Sequence, residues 1–329
     1  MLIKFYVTVL KDEIKQVAMN HEGTNHPKTG IIFRSLLLCF LRVLVVTLLA
    51  LVTSAGAAEK KIVLIAGGTS HGPGEHEFRA GCLLLKKCLD QVHGVDAVVY
   101  TNGWPTDSAA FDGAAAVVIY CDGGGGHPAI RDDRLQMLGE LMKKGVGLGC
   151  AHYAVEVLKD KGGPQFLKWI GGYFETFWSV NPHWDADFKD LPKHPITSGV
   201  KPFAIRDEWY YHMRFPEPMK NVTPILTAVP PDSTRGRPGV NEPHGGNPEV
   251  QKHMGEPEHV MWAIERPDGG RGFGFTGGHF HKNWGNDEFR KIVLNAILWS
   301  AKIPVPDEGV QCPVSPDELK ANLDTKAGR

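Results

Sequence analysis

Short apolar runs that end in glycine-rich turns are the feature that most constrains how this 329-residue chain can fold. Three of these runs occupy residues 61–68 (KIVLIAGG), 114–126 (AAAVVIYCDGGGG) and 146–152 (VGLGCAH). Their continuous hydrophobicity is typical of strands that are buried on both faces. Apolar residues at helical spacing follow the first run and the second. Strands that alternate with helices predict parallel β-α-β units.

Right-handed crossovers between such units predict a doubly wound α/β sheet with helices on both faces. In sheets of this kind, ligands bind beyond the carboxyl ends of the strands. Candidate ligand-contacting residues of the first half follow the predicted strand ends: His71, His76, Asp122, Gly123, His152 and Glu156. Their convergence predicts a binding cleft at that edge.

The second half of the chain is less regular. Strands are predicted within HWDADF, KPFAIRDEWYY, PILTAV, HVMWAIE and GRGFGFTGG, and a closing helix at 289–299. Residues 230–257 are rich in proline, glycine and charge, and a loop of that length is usually functional or disordered. We therefore interpret residues 58–303 as one domain, followed by a polar, extended C-terminal tail at 304–329.

Residues 1–57 are interpreted as an N-terminal extension with a signal peptide. The apolar run VLVVTLLALV (43–52) is shorter than the roughly 20 residues that span a bilayer. Ala55-Gly56-Ala57 has the small-x-small pattern of a cleavage site. We expect a periplasmic or secreted protein without membrane contact after cleavage. The alternative is a signal that stays uncleaved as a membrane anchor.

Charge and cysteine usage exclude several classes of protein. A formal net charge of −1 gives no reason to expect a nucleic-acid partner. The glycine runs contain neither a Walker lysine nor GxGxxG, so no nucleotide cofactor is expected. Five cysteines remain after the predicted cleavage, without CxxC spacing. Such a set predicts mostly buried, unpaired cysteines and a domain held by its own core. The sequence is compatible with a homo-oligomer.

Seven segments in series resemble the ThuA-like family, which is named for trehalose utilisation. They are KIVLIAGG, SHGPGEHEF, VGLGCAHYA, FLKWIGGYF, HPITSGV, RDEWYY and GRGFGFTGGHFHKNW. Together they cover nearly all of residues 60–303 in order. The resemblance implies a flavodoxin-like fold of the class I glutamine amidotransferase-like superfamily.

The resemblance also bears on the turn after the fourth predicted strand. Amidotransferases carry a nucleophilic cysteine there in a G-x-C-x-G turn, whereas the pattern of ThuA-like proteins looks like G-x-H. This alignment places His152 in the nucleophile slot, and Cys150 where the family has glycine. The chain thus resembles a relative without the thiol nucleophile, so amidotransferase activity is not expected. A thiol hydrolase that uses Cys150 is a weaker alternative.

Histidines and carboxylates are the candidate functional groups. His152 at a strand-to-helix turn suits a general base or a metal ligand. Glu156, four residues on, is expected on the same face of the following helix, where it is either a partner of His152 or a dipole-stabilising first-turn residue. The candidate ligands of a divalent metal, zinc or similar, are His71, His76, His152, Glu156 and His279.

Further candidates come from the second half of the chain. Paired carboxylates beside aromatic rings suit a sugar, because carboxylates accept hydrogen bonds from its hydroxyl groups and aromatic rings stack on its apolar faces. The catalytic candidates are His152, Asp207 and Glu208. The candidate substrate-binding residues are His71, Asp122, Gly123, His183, Trp184, Tyr210 and His279. The alternative for each is an ordinary structural role, such as a buried salt bridge or a loop hydrogen bond.

The resemblance implies a role in carbohydrate catabolism, acting on a small-molecule glucoside or its 3-keto derivative. The expected chemistry is proton transfer, as hydrolysis or elimination in a His/carboxylate cleft. The rival hypothesis is a carbohydrate-binding protein without catalysis, which kept the fold after the thiol was lost.

Overall fold

Residues 59–326 are the part of the chain that the structure, a computed structural model, describes. The predicted extension and signal peptide at 1–57 lie outside the described residues, as do the last three residues of the tail. The compact unit to which the described residues belong begins at Ala58. Among residues 59–326, no helix combines the length and the apolar character that a bilayer crossing requires.

A seven-stranded sheet with the order β2-β1-β3-β4-β9-β8-β7 forms the centre of this unit. Five adjacent strands, β2, β1, β3, β4 and β9, are parallel, and β8 runs antiparallel to both of its neighbours. The strands are β1 (Lys60–Ala66), β2 (Val95–Tyr100), β3 (Ala114–Tyr120), β4 (Gly147–Ala151), β7 (Val222–Ala228), β8 (Glu258–Glu265) and β9 (Arg271–Phe275). The mostly parallel, doubly wound sheet that the sequence predicts is confirmed.

Helices cover both faces of the sheet. Alternate residues of β1 point to opposite faces, so each half of the strand's side chains packs into a different apolar layer. Ile62 and Leu64 pack with α1 and α5, whereas Val63 and Ile65 pack with α2 and α3. The helices are α1 (Phe78–Leu89), α2 (Arg134–Lys143), α3 (Gly163–Trp169), α4 (Pro248–Gln251), α5 (Asp287–Ser300) and α6 (Pro316–Lys320). The two apolar layers fix the sheet and, with it, the strand-end loops.

The closing helix α5 lies in the core. It begins at an Asn286 cap whose side chain accepts from the backbone N–H groups of Glu288 and Phe289. Asp287 and Glu288 in its first turn complement the helix dipole. From Phe289 to Ser300 every residue is buried, so this helix is covered on all sides rather than amphipathic.

A second, two-stranded antiparallel sheet contains β5 (His183–Phe188) and β6 (Phe203–Glu208). Burial alternates along β5, and its apolar face packs into the same core as α1 and α5. His183 pairs with Glu208 in the register, so the end of β6 lies beside the start of β5. The predicted loop at 230–257 contains a 3₁₀ turn and the one-turn helix α4.

The cysteines differ from the prediction in one respect. Cys82, Cys121 and Cys150 are buried and free as expected, but Cys88 of α1 forms a disulfide with Cys312 of the tail. The two residues are 224 positions apart in the sequence, so spacing could not reveal the pair.

The tail is also not a merely extended surface segment. Beyond the disulfide it forms α6 and then returns to the loop after β1. There the buried Lys326 ammonium pairs with Glu77 at 3.2 Å and donates to the backbone carbonyl of Glu75. These contacts connect the tail to the loop that carries His76 and stabilise its position.

Candidate functional site

The polar cluster of this fold lies at the carboxyl ends of the parallel strands. Loops after β1, β3, β4 and β9 carry His76, Asp122, His152 and His279, and β6 ends at Glu208. Strand order reverses between β1 and β3, which is the position where open α/β sheets bind ligands. The predicted convergence of strand-end residues is therefore present.

Three imidazole rings and one carboxylate meet at the centre of the cluster. His76 Nε2 lies 3.0 Å from His152 Nε2 and 3.0 Å from His279 Nδ1. Glu208 Oε2 lies 3.1 Å from His279 Nδ1 and 3.5 Å from His152 Nε2. The three histidines are at most 4 % exposed, whereas the Glu208 side chain is 14 % exposed.

Contacts outside this centre decide which ring nitrogens carry hydrogen. His76 Nδ1 lies 2.9 Å from Asp122 Oδ1, and His152 Nδ1 lies 2.9 Å from the Thr276 carbonyl oxygen. A carboxylate and a carbonyl can only accept, so both Nδ1 atoms donate. In neutral rings the two Nε2 atoms then carry lone pairs that face each other at 3.0 Å. Such an arrangement is repulsive unless a cation lies between the rings.

Electrostatics keep two of these rings neutral. Burial lowers the pKa of His76 to about 2, and the nearby His71 and His279 add to the effect. Burial also lowers the pKa of His152 far below its usual value. His279 is different: burial lowers its pKa, but the Glu208 carboxylate more than compensates and raises it overall. For Glu208, burial opposes ionisation, and the hydrogen bond from His279 lowers the pKa on balance.

The donor set fits a divalent metal. The four ligand atoms of His76, His152, Glu208 and His279 lie within 4.8 Å of one another. Ligands about 2.0–2.1 Å from a tetrahedral zinc are about 3.3 Å apart, and four of the six pairs of ligand atoms are 3.0–3.5 Å apart here. His76 and His152 are each held at Nδ1 by a carboxylate or a carbonyl, as is typical of metal-ligating imidazoles. These residues could therefore hold a metal.

Backbone strain accompanies the cluster. His76 and His152 have φ angles of +46° and +54°, in the left-handed region that costs a β-substituted residue free energy. Gly278, in the loop after β9, has φ +112°, a conformation that residues with a side chain rarely adopt. The strained turns direct both imidazole rings toward the cluster rather than along the chain.

A histidine from the long loop adds a second pair of groups to the site. His244 Nε2 lies 3.1 Å from Glu156 Oε2, and the Glu156 side chain is almost fully buried. Hydrogen bonding to Glu156 raises the pKa of His244, although burial partly opposes it. Aromatic contacts connect this pair to the cluster: the Phe174 ring stacks on His244 and contacts Tyr210, whose ring contacts His152.

The expected relation of Glu156 to His152 is wrong. Residues His152–Val155 form a 3₁₀ turn instead of the first turn of an α-helix, and Glu156 has extended backbone angles. The four-residue spacing therefore does not put the two side chains on one helix face. Glu156 points to His244 and is not a member of the four-residue cluster.

Asp207 is a positioning residue and not a group that faces the cluster. Its carboxylate is fully buried and accepts hydrogen bonds from the backbone N–H groups of Gly278, His279 and Phe280 and from the Asn283 amide. Burial raises its pKa on balance. With its oxygens used in this way, Asp207 fixes the loop that carries His279, which replaces the catalytic role expected for it.

Two residues expected to bind substrate are used in packing. Trp184 is 2 % exposed, lies in the apolar core and donates its Nε1–H to the Trp209 carbonyl. Its ring is therefore not available to stack on a sugar. Gly123 packs against the turn after β4, where an added Cβ would lie 2.1 Å from the Tyr153 carbonyl oxygen.

The other expected substrate residues lie around the cluster. His71 and His183 have side chains that are 37 % and 42 % exposed. His183 Nε2 lies 3.8 Å from Glu208 Oε1, and the His71 ring stacks on the His76 ring. The buried Tyr210 hydroxyl lies 3.4 Å from His152 Nε2. Asp122 is partly exposed and accepts a hydrogen bond from the His76 ring.

His244 is the residue that sequence reasoning missed. It stands in the segment EPHGGNP of the loop at 230–257, between two turns that only tertiary contacts position. The available signal was the length of that loop, which pointed to function without naming a residue. For Cys150 the expectation of an inert thiol agrees with the structure: the side chain is fully buried, and burial raises its pKa.

The fold and the cluster define an α/β protein with a histidine-rich site at the strand ends. A family model described as ThuA, trehalose utilisation, matches residues 63–300. This chain belongs to the ThuA family, and the resemblance seen in its motifs is confirmed. The family description connects the chain to a carbohydrate-related role. A search of curated protein sequences finds no match.

Solved structures of ThuA-like proteins share the fold. A ThuA-like protein of Bacteroides uniformis is 17 % identical, with a TM-score of 0.50 over 75 % of this chain and 93 % of its own. One from Parabacteroides merdae is 14 % identical, with a TM-score of 0.50 over 79 % and 94 %. A glutamine amidotransferase of Thermotoga maritima gives 11 % identity and a TM-score of 0.36 over 75 % and 97 %.

Proposed function

We propose that this protein is an exported, metal-dependent enzyme of carbohydrate catabolism that acts by proton transfer on a glucoside or a 3-keto-glucoside. The observation that supports this proposal most is the convergence of three imidazole nitrogens and one carboxylate at the strand ends. The ThuA family description supplies the carbohydrate class.

His76, His152, Glu208 and His279 are the residues that would hold the metal. Imidazole nitrogens with one carboxylate suit zinc or a similar divalent ion rather than magnesium or calcium. Bound there, the metal would act as a Lewis acid toward a carbonyl or hydroxyl oxygen of the sugar, which would enter as a ligand in addition to the four side chains. Among the four, the partly exposed Glu208 faces the side from which a substrate can approach.

The Glu156–His244 pair would move the proton. His244 is 36 % exposed, so a substrate can reach it, whereas Glu156 is buried behind it. The carboxylate holds the ring by hydrogen bonding and raises its pKa, which favours the protonated ring that a general acid requires. This assigns general acid or base action to His244 and an orienting role to Glu156. His152, the base expected from the sequence, is a metal ligand in this proposal.

Residues around the cluster suit recognition of a sugar. His71 and His183 offer exposed ring nitrogens to hydroxyl groups on either side of the cluster. Tyr153 is partly exposed and contacts both His76 and Tyr210, so its ring faces the same space. An aromatic face between polar groups is the usual way to bind a pyranose ring.

Export is supported by the disulfide as well as by the sequence of residues 1–57. Structural disulfides persist in oxidising compartments and are rare in the cytosol. The Cys88–Cys312 bond ties the tail to α1 in the domain itself. A periplasmic or secreted location is therefore proposed.

The test is turnover of a panel of glucosides and 3-keto-glucosides by zinc-loaded protein, followed by NMR. We expect His244→Gln to lower the rate by about 10²–10⁴-fold, which is the usual contribution of a general acid or base, with little change in substrate affinity. His93→Gln, at an exposed position outside the site, is the matched control. Equal rates for His244→Gln and wild type would refute the proposed proton transfer. Binding of a sugar without turnover by the wild type would favour the rival hypothesis of a carbohydrate-binding protein.

A further inference from the structure

We infer a second metal site, separate from the four-residue cluster and made by His212, Glu249 and His253. These three residues each offer a ligand atom, and the atoms lie within 4.8 Å of one another. His212 follows β6 by four residues, whereas Glu249 lies in α4 and His253 just after it. The site therefore joins the segment after β6 to the long loop at 230–257.

Both histidines have one ring nitrogen fixed by a glutamate. His253 Nδ1 lies 2.7 Å from Glu256 Oε2, and His212 Nδ1 lies 3.4 Å from Glu258 Oε1. Because a carboxylate only accepts, both Nδ1 atoms donate and both Nε2 atoms carry lone pairs. This carboxylate–histidine arrangement is the outer contact that metal-ligating histidines usually make.

The His212 ring also has an unexplained buried nitrogen. Its Nε2 is buried and has no hydrogen-bond partner among the described residues. The His212 ring stacks on Trp178, and its centroid lies 4.8 Å from that of the His253 ring. A buried polar atom without a partner costs about 1–3 kcal/mol, and a bound ion removes that cost.

Charge at this place also favours a cation. Three carboxylates, Glu249, Glu256 and Glu258, contact the histidines, and two cations, Lys252 and Arg235, pair with two of these carboxylates. Arg235 also pairs with Asp232, so with neutral rings four negative and two positive charges leave a net charge of −2. The Glu249 and His253 side chains are 32 % and 36 % exposed, so they can turn to shorten their distances to an ion.

Two imidazoles and one carboxylate select zinc or a similar transition metal. Three protein ligands leave coordination positions for water. The ion would connect α4 and His253 to the core, and the same loop carries His244 to Glu156. The second site is thus assigned a role in ordering the loop that completes the first.

The test counts zinc bound by the full chain after chelation and reloading, by elemental mass spectrometry and calorimetric titration. His253→Ala, at a partly exposed position, should bind one zinc ion fewer than the wild type. Glu256→Gln should weaken that ion's binding by about 10–100-fold. His93→Ala is the control for general loss of a surface histidine and should bind as the wild type does. Zinc binding by His253→Ala equal in number and affinity to the wild type would overturn the inference.

A His76→Ala background separates the two sites, because it removes a ligand of the first cluster only. In that background, zinc should slow amide exchange in residues 236–256, by up to about 100-fold when free zinc is about 100 times its dissociation constant. Adding His253→Ala should abolish this protection. Protection that survives in the double variant would overturn the second site, whereas absence of metal at the first cluster would leave this result unaffected.

Discussion

Replacement of Asp122 tests how the first cluster holds its metal. Asp122 Oδ1 accepts from His76 Nδ1 at 2.9 Å and from the Ser70 hydroxyl at 3.0 Å. In Asp122→Asn the amide oxygen can still accept both hydrogen bonds, but the negative charge behind the ring is lost. In Asp122→Ala the acceptor is lost as well, and the buried Nδ1–H keeps only a 3.3 Å contact with Ser70. The two variants therefore separate charge from ring orientation.

The expected magnitudes follow from this difference. Loss of an outer hydrogen-bond partner of a metal-bound histidine weakens metal binding by about 10–100-fold, which corresponds to about 1.4–2.7 kcal/mol. We expect the asparagine variant near the lower value, because the ring stays oriented. The alanine variant is expected near the upper value, because the Nδ1–H of the 1 % exposed ring keeps only the longer contact with Ser70 and the ring is less firmly oriented.

The assay is zinc competition against a chromophoric chelator, with wild type and both variants loaded to the same extent. Asp187→Asn, which breaks an exposed ion pair with Lys189, is the matched control. It should bind zinc as the wild type does. If both Asp122 variants bind zinc as tightly as the wild type does, His76 is not a metal ligand that Asp122 holds in place.

Three further predictions concern stability and the thiols. Removal of the disulfide by Cys88→Ser with Cys312→Ser should lower the free energy of unfolding by about 2–5 kcal/mol, since it releases a loop of 224 residues; an unchanged urea midpoint would contradict this. In metal-free protein, burial lowers the pKa of His127 to about 4, as it lowers that of His76. Below about pH 6.5 both histidines bind a proton in the unfolded chain but not in the folded chain. The free energy of unfolding should therefore fall between pH 7 and pH 5, by up to about 1.4 kcal/mol per pH unit for each histidine. Urea midpoints that are equal at the two pH values would count against this. Iodoacetamide should leave Cys150 unmodified in the native protein, and peptide mapping that finds it alkylated would revive the thiol-hydrolase alternative.

The central fold could be predicted because its signals are local. The apolar run at β1 and the glycines after it identify a buried strand and its loop, whatever the rest of the chain does. The antiparallel strand β8 also shows an apolar run, but its direction depends on its pairing with β9 and β7. The disulfide between residues 224 positions apart is likewise a tertiary fact.

The candidate site shows the same division. His76, His152 and His279 could be proposed because each follows a predicted strand end, where side chains of different loops converge. The spacing of His152 and Glu156 predicts a shared helix face that the structure does not have, since the chain leaves the helical path after a positive φ at His152. The role of Asp207 depends on three backbone N–H groups in a loop some 70 residues away, which no local pattern reveals.

The proposed function depends on a metal bound at the first cluster, and elemental mass spectrometry measures bound metal directly. The protein is the chain that begins at Ala58, where the compact unit begins, compared with its His152→Ala variant. We expect a near-stoichiometric divalent metal at the first cluster of the wild type and the loss of one equivalent in the variant. Equal metal content in the two proteins, after exposure to zinc and removal of excess, would contradict it.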